Sequence, residues 1–91
     1  MGVSIMLGKR SITPGGRSRM ASQITDTFGY THGSAYVFDE RDLVALTELA
    51  RLEGRHPFEE PAEGSTDIGD SFRAIVDEVR ANGQAVVRLV Y

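Results

Sequence analysis

The 91-residue chain has no cysteine. That absence excludes disulfides, Cys-ligated zinc, iron–sulfur clusters and thiol catalysis together, and it favours a reducing, cytoplasmic setting. Histidine is scarce as well: His32 and His56 stand 24 residues apart with no motif around either. No run of apolar residues approaches the ~20 needed to cross a bilayer, so no membrane partner is expected. The apolar stretch VSIML (Val3 to Leu7) is shorter than the ~7–15-residue core of a secretory signal, and its flanking positive charges follow rather than precede it. A transit peptide fits the Arg- and Ser-rich composition better, but Thr13-Pro14-Gly15-Gly16 would interrupt its amphipathic helix.

Acids are missing from the first 25 residues. Lys9, Arg10, Arg17 and Arg19 give residues 1–20 a charge of +4, while the rest of the chain sets six arginines against thirteen acids, a balance of −7. Residues 8–19 therefore read as a mobile basic loop or arm on an acidic body, within a single domain spanning 1–91. Such an arm can track phosphates, and Lys9, Arg10, Arg17 and Arg19 are the candidate phosphate contacts. No aromatic residue interleaves with these cations, so base stacking has no support. Gly8-Lys9-Arg10 ends unlike a phosphate-binding P-loop, which needs Ser or Thr after the Lys.

The apolar pattern carries the fold. Ile68, Phe72, Ile75, Val76 and Val79 recur at the spacing of one helix face. Asp67 or Thr66 is placed to cap that helix, and Asn82-Gly83 to stop it in the left-handed region. A preceding helix is expected over about Glu40 to Glu53. Asp39 is its N-cap, Phe38 and Leu43 occupy the two positions of a hydrophobic staple, and Gly54 is its stop. Leu43, Leu46, Leu49, Ala50 and Leu52 make its apolar side. QAVVRLVY (Gln84 to Tyr91) reads as a strand with apolar residues on both faces, expected to be central or covered on both sides. DTFGYTHGSAYVF (Asp26 to Phe38) reads as two strands around a turn near Thr31 to Gly33, and Val3 to Leu7 as a further strand. Arg55 to Asp67 is expected as a loop, with Phe58 turned back to the core. The expected class is α+β, a small antiparallel or mixed sheet of N-terminal strands and a closing C-terminal strand, packed on two helices.

Chemistry has little to work with. Adjacent acids such as Glu59-Glu60 and Asp77-Glu78 suit a solvated surface, whereas catalytic carboxylates need opposed positions in a pocket. No G-x-S-x-G, H-E-x-x-H or calcium-loop pattern occurs. No cofactor and no metal are expected; Tyr30, His32 and Tyr36 are the one grouping from which a small-ligand pocket would be built. The leading expectation is a small non-enzymatic regulator, adaptor or inhibitor that binds a partner protein. Its expected contacts are Glu59, Glu60, Glu63 and Asp67, facing a basic surface. The alternative is a nucleic-acid-binding regulator that uses the basic segment. A homodimer is expected from the closing strand, whose edge would be adhesive if left open. A central position for that strand would instead leave a monomer.

Overall fold

A computed structural model describes residues 3–29, 35–53 and 67–90. Its strands are β1 (Ser4–Leu7), β2 (Arg10–Ser11), β3 (Ala35–Asp39) and β4 (Gln84–Val90). Its helices are α1 (Arg17–Phe28), α2 (Leu43–Glu53), entered through a 3₁₀ turn at Glu40–Asp42, and α3 (Ile68–Asn82). The sheet is antiparallel throughout, in the order β2-β1-β4-β3. The fold is α+β, as the pattern predicts, with three helices among the described residues instead of two.

Register explains which side of the sheet is covered. Ile5 pairs with Leu89, Leu7 with Val87, and on the other side Tyr36 with Val87 and Phe38 with Ala85. Side chains alternate across a strand, so these residues share one face. Ile5, Leu7, Phe38, Ala85, Val87 and Leu89 are all buried there. All three helices contribute to the same core, with Met20 and Ile24 from α1, Leu46 and Ala50 from α2, and Phe72, Ile75 and Val79 from α3. The result is two layers, helices over one face of a sheet whose other face they leave uncovered.

The helix ends follow local rules. Asp67 caps α3 by accepting from the Asp70 N–H at 2.6 Å. Gly83 stops it at φ 83°, a left-handed angle that a side chain disfavours, and its N–H reaches the Val79 carbonyl at 2.7 Å. Asp39 caps the 3₁₀ turn in a reciprocal box, its carboxylate accepting from the Arg41 N–H while its own N–H donates to Asp42 Oδ2. The helix expected from Glu40 thus begins as a tighter turn. Phe38 is fully buried and Leu43 partly so, as a staple requires. Leu52, assigned to the apolar side, is half-exposed, as is usual for the last turn of a helix. Gly54, the loop from Arg55, Phe58 and the turn at Thr31 to Gly33 lie outside the described residues.

Two expectations need correction. Asp26 to Phe28 is the last turn of α1, not a strand. Met20, Ala21, Ile24 and Phe28 form a narrow helical stripe that Ile, Thr and Phe, all good strand formers, disguise. Residues 8–19 are not a continuous loop: Arg10 and Ser11 pair with β1, Ile12 and Pro14 are buried, and Arg17 opens α1. Gly16 allows that entry, because a Cβ there would stand 2.7 Å from Ile68 Cδ1. Strand β4 lies between β1 and β3, the central position that its two-sided apolar pattern predicts, so it is not the open edge from which a homodimer was expected.

Phe72→Ala should destabilise the domain by about 3–5 kcal/mol, the usual cost of emptying an aromatic site in a core. Val44→Ala, at a residue 82% exposed on α2, should cost under ~0.5 kcal/mol. Urea midpoints of the two variants check the assignment of faces, and equal shifts would contradict it.

Candidate protein-interaction surface

The uncovered face of the sheet is defined by the residues that alternate with the core. Val37 pairs with Val86, Arg88 lies between Met6 and Ala35, and Val90 pairs with Ser4. Val37 is 51% exposed and Val90 45%, while Met6 and Val86 are half-buried. Aliphatic groups thus lie along the face with one cation, Arg88, in the middle. None of these residues is aromatic, which removes the stacking platform that single-stranded nucleic acid uses.

The two sheet edges differ. Beyond β1 the chain supplies its own cover: Ile12 N–H donates to the Ile5 carbonyl at 2.9 Å, and the Ile5 N–H donates to Thr13 Oγ1 at 3.0 Å. Ser71 Oγ then donates to the Ile12 carbonyl at 2.7 Å, tying that cover to α3 inside the protein. At the other side β3 is the outermost strand among the described residues, and Val37 sits at its centre. Above β3 the helix side is aromatic. Phe28 packs edge-on against Phe38 with ring centroids 4.7 Å apart, and Tyr36 stands 4.5 Å from Phe38 and 5.9 Å from Phe28.

The candidate site residues are dispersed. Glu59, Glu60 and Glu63 lie outside the described residues, as do Tyr30, His32 and His56. Asp67 is occupied as the cap of α3. Lys9 lies in the β1–β2 turn, Arg10 in β2, and Arg17 and Arg19 in the first turn of α1. Two positions along a helix turn the side chain by about 200°, so Arg17 and Arg19 diverge. Arg10 pairs with Leu7 and lines a hollow of about 350 Å³ with Thr13, Asp70 and Ser71. The four cations therefore do not form one stripe.

A second hollow was not anticipated. Thr47, Ala50 and Arg51 of α2 and Arg73, Val76 and Arg80 of α3 line a groove of about 370 Å³. Arg51 pairs with Glu48, and Arg73 with Asp70 at 2.9 Å, each one helical turn away. Exposed pairs of this kind are weak, so a ligand can exchange them readily. The sequence signal was available, since Arg73 and Arg80 are seven residues apart and fall on one helix face.

Comparison with protein-family models, curated proteins and solved structures gives no match. The reading of this surface therefore stands on its residues alone. Among the described residues, no group of three or more His, Asp or Glu side chains is placed to hold a metal ion. No described helix is long and apolar enough to cross a membrane.

Electrostatics near the β3 edge are local. The Arg41 guanidinium, 3.0 Å from Asp39 Oδ2, and the Arg41 N–H hold the Asp39 carboxyl below its ordinary range. Burial, with Asp42 and Asp39 nearby, pushes the Tyr36 hydroxyl above the usual tyrosine range. A raised tyrosine pKa means that the folded state favours the neutral phenol. Its contribution to stability is present below the unfolded value and is lost as pH rises through the folded one. In an alkaline absorbance titration, Tyr36→Phe should remove the component that ionises above the ordinary tyrosine range. Unchanged late ionisation in that variant would contradict the assignment.

Proposed function

We propose that the protein is a small non-enzymatic interaction module, a regulator, adaptor or inhibitor, and that it works as a two-fold dimer joined through β3. The observation that carries this reading is the half-exposed Val37 at the centre of the outermost strand among the described residues, beside Val86 on the uncovered face. An edge strand presents unpaired backbone groups, and a second strand satisfies them.

The occupant best suited to β3 is another β3. Its sequence Ala-Tyr-Val-Phe-Asp is nearly symmetric about Val37. Antiparallel pairing about a two-fold axis would set Val37 against its own copy on the uncovered face. On the helix face, Tyr36 would oppose Phe38 of the second copy and extend the aromatic cluster already present. Cross-strand aromatic pairs contribute roughly 0.2–1 kcal/mol each, and the symmetry uses each pair twice. The joined sheet would bring two uncovered faces into one continuous surface for a larger partner.

Sedimentation equilibrium at tens of micromolar tests the dimer. The expected result is a species of twice the 9.9 kDa chain mass. Val37→Lys should return it to the monomer, while the thermal midpoint of the monomer stays close to that of the parent chain. A single species of chain mass for the parent protein would overturn the reading.

A further inference from the structure

The groove between α2 and α3 concentrates charge of one sign on a chain that carries mostly the other. Past residue 20 the chain holds six arginines against thirteen acids. Three of those six, Arg51, Arg73 and Arg80, line this one groove, and among the described residues no carboxylate does. The arginine side chains are exposed at the rim, while Ala50 and Val76, 6% and 4% exposed, form the floor. Thr47 adds a hydroxyl at one end.

The geometry points to this groove as the docking site for an acidic peptide segment of a partner protein, one in which carboxylates flank an aliphatic side chain. This assignment rests on the reading of the chain as an interaction module and names the chemistry of its partner. Guanidinium groups bind carboxylates through paired N–H donors, and three of them around a shallow groove can engage acids on both sides of a central residue. The floor of Ala and Val lacks any donor, so a branched aliphatic group fills it without leaving a polar atom stranded. Arg51 and Arg73 are held ready by Glu48 and Asp70, and a ligand carboxylate would replace like with like. Arg80 makes no ion pair among the described residues. A phosphate backbone would use the same cations but leave the apolar floor unfilled.

The test is fluorescence anisotropy with a labelled peptide in which one Leu is flanked on each side by two Glu. It is run on the full chain at low ionic strength, with a labelled DNA duplex as the second probe. The expected result is saturable peptide binding that weakens with added salt. Arg80→Ala and Arg73→Ala should each weaken it about twofold or more, the scale of an exposed charge pair. Lys9→Ala, which removes a cation in the β1–β2 turn, should leave it unchanged. Replacing the peptide's Leu with Ser should also weaken binding, because the floor is then unfilled. Three outcomes overturn the assignment: no saturable peptide binding, equal binding by the arginine variants, or tighter binding of the duplex than of the peptide. All variants are exposed-site changes, and circular dichroism of each is the check that it is folded. A dimer that ignores the peptide removes the groove assignment only, whereas a monomer that binds it removes the β3 dimer only.

Discussion

Val87 is paired through its strand with Leu7 on one side and Tyr36 on the other, and none of its surface reaches solvent. The structure depends on this central position of β4. Strand β1 has only the two-residue β2 to pair with until β4 is present, and β3 has no other neighbour among the described residues. The covering layer depends on it too. Helix α3 runs into β4 through the single residue Gly83, so the left-handed stop sets where Phe72, Ile75 and Val79 come down on the sheet. The core is therefore organised by one helix–turn–strand unit of adjacent residues, to which the rest of the chain is added.

Much of that unit was legible in sequence. The 3.6-residue repeat from Ile68 to Val79, the cap at Asp67 and the stop at Gly83 are all local signals, and local signals survive in any fold that uses the segment. The same holds for Asp39, whose box with Asp42 needs only four consecutive residues. Helix α1 was not legible because its apolar stripe is thin and its residues favour strands. What makes it a helix is burial of Met20 and Ile24 against partners distant in sequence, a tertiary preference that overrides the local one. The central place of β4 was legible in its two-sided apolar pattern, but which strands flank it was not.

The surfaces were less legible than the fold for a related reason. Lys9, Arg10, Arg17 and Arg19 look like one basic segment along the chain, yet a turn, a strand and a helix distribute them in different directions. Arg51, Arg73 and Arg80 look unrelated along the chain, yet two packed helices gather them. Linear clustering of charge predicts a patch only where the backbone is extended and free. Once it folds, the helix period and the packing of neighbours decide which charges meet.

The pairing of Ile5 with Leu89 joins residues made far apart in time. Strand β1 leaves the ribosome early, and its partner follows roughly eighty residues later. At about 5–20 residues per second, Val3, Ile5 and Leu7 wait several seconds or more for the strand that will bury them. During that interval α1 and α2 have no central strand to pack on. Completion of the sheet is thus deferred until β4 is made, and β1 lacks its longer partner throughout. Within this domain, the strand on which the sheet is built follows every element that it joins.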